Sequence, residues 1–133
     1  MVLPDRKKSL DQKPCRYSIG KNMDTNFFNE LDTAVTVCDK AGIILYMNEK
    51  ACETFKKYGG RNLIGKNIFD YHNQNSCEII KKLLKEDTGN TYTITKNNVK
   101  KLIHQTAWHQ DGKVMGLIEF SVELPEDMPD HQR

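Results

Sequence analysis

The stretch Ala34 to Phe55, AVTVCDKAGIILYMNEKACETF, constrains the fold more than any other part of the chain. Two short apolar runs flank Asp39-Lys40-Ala41-Gly42, and the second leads directly into Asn48. Asp side chains fold back onto the local backbone and Gly accepts positive φ, so the four-residue break predicts a hairpin turn. Asn48 then stands where a helix N-cap is needed, ahead of Ala51, Cys52 and Phe55 on one helical face. Strand, turn, strand and capped helix are therefore expected in that order.

The rest of the chain is read against this start. A length of 133 residues suits one domain with a single core. Hydrophobic residues make up 38% and charged residues 29%, which predicts that some segments are solvated or disordered. A formal charge of +2 is too small to suggest nucleic-acid binding by the whole chain. No apolar run approaches the length of a membrane span, and no apolar core of a secretion signal is present near Met1. Cys15, Cys38, Cys52 and Cys77 match no C-x-x-C spacing. They read as reduced, small hydrophobes of a cytoplasmic protein.

Residues 1–22 lack periodicity and carry Arg6, Lys7, Lys8, Lys13, Arg16 and Lys21 against Asp5 and Asp11, with Pro4 and Pro14 breaking any helix. They are expected to form a flexible basic leader, followed by a folded unit over 23–124 and a polar tail over 125–133. Asp24 is placed to cap a short helix through Phe27, Phe28 and Leu31. After the Asn48 helix, Tyr58-Gly59-Gly60 stops the helical pattern. Short helical turns are expected through Leu63, Ile64, Phe69 and Tyr71. A longer helix follows Asn75 or Ser76, with Cys77, Ile80, Leu83 and Leu84 on one face and Glu78 close to a capping-box position. Thr88-Gly89-Asn90 ends it. Three strands close the chain: Thr91–Thr95, Lys100–Trp108 and Val114–Leu124, turning at Asn97-Asn98 and at Asp111-Gly112. In the last strand Gly116, Ile118, Phe120 and Val122 share one face, opposite Met115, Leu117, Glu119 and Ser121. The fold class is α+β, an antiparallel sheet with its helices on one side.

From about Asn26 to Leu124 the chain resembles the PAS family. The resemblance rests on Asp39-Lys40-Ala41-Gly42-Ile43 with Tyr46-Met47-Asn48, then Leu63-Ile64-Gly65-Lys66-Asn67, then Asp111-Gly112-Lys113 and Gly116, in the family's order. It implies a five-stranded antiparallel sheet of order 2-1-5-4-3, wrapped by short helices, with a cavity between sheet and helices. It also implies a sensor of small molecules, redox state or light that commonly dimerises. The chain departs from the family at Val122-Glu123-Leu124-Pro125-Glu126-Asp127, where Asp-Ile-Thr usually leads into a signalling helix. No kinase, cyclase or DNA-binding module accompanies it within these residues.

The resemblance raises two cofactors. The light-oxygen-voltage branch carries a G-R-N-C run whose cysteine bonds flavin, whereas this chain reads Gly60-Arg61-Asn62-Leu63, so flavin photochemistry lacks its nucleophile. Haem is raised by His72, since neutral imidazole ligates iron and haem-binding relatives place a ligand nearby. The simpler reading, a hydrogen-bonded or solvent-facing loop histidine, is preferred. No second His or carboxylate stands at metal-ligand spacing. Cys77 at a helix start is a redox-sensor candidate, with packing against Ile80 and Leu84 the preferred alternative.

The expectation is thus a PAS-like sensor or interaction module without enzymatic activity. A small ligand in the cavity would favour one arrangement of Ile64 to His72, and the sheet would pass the difference to a partner protein or a second copy. The expected lining is Ile64, Phe69, Tyr71, His72, Ile80, Leu102, His104, Trp108, Ile118 and Phe120. Met115 and Leu117 would then face outward, against the Phe27-Phe28-Leu31 helix or a second copy.

Overall fold

Asp39 builds the hairpin that starts the sheet. In the computed structural model, its Oδ1 accepts from the backbone N–H groups of Ala41 and Ile43, both at 2.9 Å, while its carbonyl accepts from Gly42 at 3.0 Å. The carboxylate satisfies donors that a tight turn leaves unpaired. Gly42 takes φ +90, and a Cβ there would lie 2.8 Å from the Phe69 ring. The hairpin joins β1 (Ala34–Asp39) to β2 (Ile44–Met47). The structure describes residues 26–133; the basic leader, the Asp24 cap and Cys15 lie outside the described residues.

A one-turn helix, α1 (Asn26–Asn29), precedes the hairpin, and α2 (Glu49–Thr54) follows it. Three 3-10 turns, at Lys56–Tyr58, Gly60–Leu63 and Ile68–Tyr71, lead to α3 (Gln74–Glu86). Then come β3 (Asn90–Lys96), β4 (Val99–Gln110) and β5 (Lys113–Glu123). All pairings are antiparallel and the order is β2-β1-β5-β4-β3, as the resemblance implied. Asn97 and Asn98 (φ 52 and 65) make the β3–β4 turn, and Asp111 and Gly112 (φ 52 and 77) the β4–β5 turn. Both pairs have the double positive φ that a type I′ hairpin needs.

Leu63 to Asn67 adds to the free edge of β2. Gly65 N–H donates to Ile44 O at 2.8 Å, and Ile44 N–H donates to Lys66 O at 2.9 Å. This docking brings the 3-10 turns across one face of the sheet, and α3 follows them. Two helix ends differ from expectation. The cap of α3 is Asn73, whose Oδ1 accepts from Ser76 N–H at 2.8 Å, two residues before Asn75. The left-handed stop falls on Asp87 (φ 53), ahead of Thr88-Gly89-Asn90. Asp87 is held there by His109, whose Nε2 lies 2.9 Å from Oδ2, so a partner from β4 decides which residue ends the helix.

The core divides by sheet face. On the inner face Ala34, Cys38, Ile44, Met47 and Leu117 pack with Ala51, Leu63, Ile68, Ile80 and Leu83 from the helical side. On the outer face Val35, Val37 and Ile118 pack with Phe28, Tyr46, Trp108 and Phe120. This reverses the expected orientation of β5: Leu117 faces the helices, while Ile118 and Phe120 face away and meet Phe28. Asn48 ties the two halves together. Its Oδ1 accepts from Val35 N–H and Ala51 N–H, both at 3.0 Å, and its Nδ2 donates to Phe28 O at 2.9 Å and Thr33 O at 2.8 Å.

Candidate functional site

The inner face of the sheet, the 3-10 turns and α3 enclose a cavity of about 280 Å³. Its volume lies near the lower end for small-molecule sites, which run from roughly 300 to 1,000 Å³. The interior is apolar: Cys38, Ile44, Met47, Leu63, Ile68, Ile80 and Leu117 all line it and are buried. Tyr58, Tyr71 and His72 also line it but are exposed, which places them at its opening.

Polar side chains enter from the sheet. Thr36, Gln105 and Glu119 line the cavity and are cross-strand neighbours, since Glu119 pairs with Thr36 on one side and Gln105 on the other. Gln105 is buried, and its Nε2 donates to Glu119 Oε2 at 2.8 Å. Its amide oxygen accepts from Asn90 Nδ2 at 3.3 Å, which fixes the orientation of the amide. Glu119 keeps part of its surface open to the cavity, yet burial raises its pKa above 4.5, opposed by the Gln105 hydrogen bond and then by the His72 charge.

That shift gives a stability prediction. A carboxyl whose folded-state pKa is raised contributes stability below its unfolded-state value and loses it as pH rises through the folded-state value. Glu119→Gln is therefore expected to stabilise the protein at pH 7, with the gain shrinking as pH falls toward about 4.5, the ordinary value for this carboxyl, and gone below it. Urea unfolding at the two pH values checks this; an equal gain at both would contradict it.

Three of the residues expected in the cavity meet there: Tyr71, His72 and Ile80. Phe69 instead packs half-buried against the inner core, with Lys81 Nζ 5.1 Å from its ring centroid. Ile64 is exposed at the end of its 3-10 turn. Leu102, His104, Trp108, Ile118 and Phe120 occupy the opposite face of the sheet, in register with one another and with Gly116. His104 Nδ1 bonds Thr91 Oγ1 at 2.8 Å, and Trp108 Nε1 donates to Cys38 O at 2.9 Å, across Gly116. The cause of this correction is physical. The cavity wall carries polar side chains, whereas the outer face is closed by apolar packing against Phe28 and Tyr46, so greater hydrophobicity does not mark the cavity side.

Sequence reasoning missed Thr36, Cys38, Ile44, Met47, Gln105, Leu117 and Glu119 on the sheet, and Phe55, Tyr58, Leu63 and Ile68 on the helical side. The available signal was polar residues in the middle of long strands, which a solid core would exclude. Cys38 is the thiol that lines the cavity among the described residues, and burial pushes its pKa up to about 11. So protonated a thiol is a poor nucleophile. Cys77 directs its thiol to the carbonyl oxygens of Phe69 and His72, at 3.5 and 3.6 Å, and joins the last 3-10 turn to α3.

His72 Nδ1 lies 2.7 Å from Ile68 O. A carbonyl only accepts, so Nδ1 carries a proton and donates in this contact. The ring chemistry would suit iron, but the cavity does not suit haem. A porphyrin needs more room than about 280 Å³, and its carboxylates gain nothing from a wall carrying Glu119. Leu63 lines the cavity in the region where the light-oxygen-voltage branch supplies its cysteine. Among the described residues, no group of three or more His, Cys, Asp or Glu is placed to hold a metal, and no helix is long and apolar enough to cross a membrane.

The sequence model of the family described as "PAS domain" matches residues 32–124. No curated protein matches the sequence. Among solved structures, the PAS domain of histidine kinase ThkA is similar at TM-score 0.57 and 16% identity, covering 68% of this chain and 97% of that one. The Aer2 receptor of Vibrio cholerae, described as a dual PAS-heme oxygen sensor, is similar at TM-score 0.54 and 20% identity, covering 70% and 95%. VqmA bound to DPO is similar at TM-score 0.59 and 15% identity, covering 80% of this chain and 58% of that one. At these identities the likeness concerns the fold.

Proposed function

The chain belongs to the PAS domain family, and from that membership we propose that it is a sensory module that binds a small molecule between sheet and helices and signals to a partner protein. The observation that carries this reading is the cavity of about 280 Å³, apolar within and polar along one wall. Convergent polar groups in an otherwise apolar hollow are the usual build of a ligand site. VqmA, one of the similar structures, is bound to DPO, and Aer2 is described as an oxygen sensor; both support a sensing role for the fold.

Signalling follows from where the lining sits. Ile68, Tyr71 and His72 belong to the segment between Gly65 and α3, which touches the sheet edge through a few backbone hydrogen bonds. A ligand that contacts this segment shifts its preferred arrangement by its differential affinity for the alternatives. The sheet is shared by both faces, so the outer surface around Phe28, Tyr46, Trp108 and Phe120 is where a partner or a second copy reads the change. The module works by binding and does no chemistry on its ligand.

The test is native mass spectrometry of the protein purified from cells, followed by thermal-shift screening of small molecules. A ligand present at 100 times its Kd is expected to raise stability by about 2.7 kcal/mol. Thr36→Phe, which fills the cavity from β1, should abolish the shift while circular dichroism stays native. If no mass is retained and no compound moves the melting temperature, the sensing reading is wrong.

A further inference from the structure

The polar wall has a direction. Asn90, Gln105, Glu119 and Thr36 form one cross-strand row over β3, β4, β5 and β1. Asn90 Nδ2 donates to the Gln105 amide oxygen, and Gln105 Nε2 donates to Glu119 Oε2. Each amide thus passes its donor along the row, and the chain of donors ends on a carboxyl. Among the described residues, Gln105 supplies the one hydrogen bond to Glu119, and no lysine or arginine pairs with it. Oε1 of Glu119 therefore keeps its acceptor capacity, in a wall that the cavity reaches.

The surroundings define what can meet it. The neighbouring cavity surface is Cys38, Met47 and Leu117, all apolar and buried. The titratable groups coupled to Glu119 are His72, at the opening, together with Tyr92 and Cys38, whose own pKa values rise by burial first and also by the Glu119 charge. A buried acceptor without a donor costs about 1–3 kcal/mol, and an ionised one makes the stronger, charge-assisted bond when a donor arrives. An anionic ligand would instead meet repulsion from the Glu119 carboxylate in the cavity wall. We infer that the cavity takes a compact, largely apolar molecule bearing an ammonium or N–H donor, which Glu119 Oε1 receives while the apolar body fills the space against Met47 and Leu117. This rests on the sensing reading and names the class of ligand that the site selects.

The test uses three probes of the right size that differ in one group: benzylamine, toluene and benzoate. Binding is followed by NMR titration of the full chain, reading the amides of β1 and β5. Benzylamine is expected to bind at least tenfold more tightly than toluene or benzoate. Glu119→Gln, which is isosteric and keeps an acceptor for Gln105, is expected to remove that preference while toluene binds as before. Benzoate binding as tightly as benzylamine, or an undiminished benzylamine preference in Glu119→Gln, would overturn the donor assignment and leave the cavity as a binding site. Failure of all three probes to move any cavity amide would count against the sensing reading itself, and the ligand class would fall with it.

Discussion

Replacing Gly116 by alanine is expected to cost about 3 kcal/mol or more, the upper range for forcing atoms into a packed core. Its backbone is not in the left-handed region, so the penalty is steric and not conformational. A Cβ at this position would collide with the Cys38 carbonyl oxygen and would lie 2.7 Å from Trp108 Nε1 and 2.8 Å from Asp39 Cα. Two of these neighbours are backbone of β1, which cannot step aside without opening the β1–β5 ladder. The third is an indole held by its hydrogen bond to Cys38 O at 2.9 Å. A loss of this size lowers the melting temperature by roughly 10–20 °C for a domain of about 100 residues. Gly65→Ala is the control for backbone strain alone, because a Cβ there meets nothing within 4 Å although φ is +92; it should cost about 1–2 kcal/mol. If Gly116→Ala melts like the control, the close approach of Trp108 over β5 is wrong.

Asn48→Asp should be nearly as damaging, and its damage should depend on pH. The side chain is 1% exposed and makes four hydrogen bonds, two as acceptor and two as donor. Aspartate keeps the acceptor contacts to Val35 and Ala51 but sets a carboxylate oxygen against the carbonyls of Phe28 and Thr33. Breaking a buried polar network in this way costs about 3–5 kcal/mol. Burial without a cation raises the new carboxyl's folded-state pKa, so the variant regains stability as pH falls and its proton becomes a donor to one carbonyl. Chemical denaturation at pH 7 and pH 4 reads both effects. A loss below about 1 kcal/mol at pH 7, or no recovery at pH 4, would show that Asn48 is a simple helix cap.

Both residues were visible in the sequence, but for partial reasons. Asn48 was placed as the cap of α2, which its Ala51 contact bears out. Its grip on Phe28 and Thr33 spans 20 and 15 residues, respectively, and has no local signature. Gly116 entered as part of a turn pattern, Asp111-Gly112-Lys113 with Gly116. Its actual constraint is an indole arriving from β4, opposite it in the sheet. The sheet order was likewise available through the family resemblance, and the two type I′ turns from their residue types.

The candidate site was harder to read. Alternation along β5 separates Ile118 and Phe120 from Leu117 and Glu119 correctly, but it does not say which set faces the helices. The set expected to line the cavity, Ile118 and Phe120, packs instead against Phe28, Tyr46 and Trp108. The cavity wall instead carries Thr36, Gln105 and Glu119, because a hollow tolerates polar groups that a filled interior would leave unsatisfied.

Local chemistry was enough for the strands, their turns and the helix starts, since propensity, positive φ and capping act within a few residues of the chain. The side of the sheet that encloses the cavity was settled by docking of Leu63–Asn67 onto β2 and of α3 across the inner face. Those contacts join residues far apart in sequence, and a period-two pattern reads the same from either side.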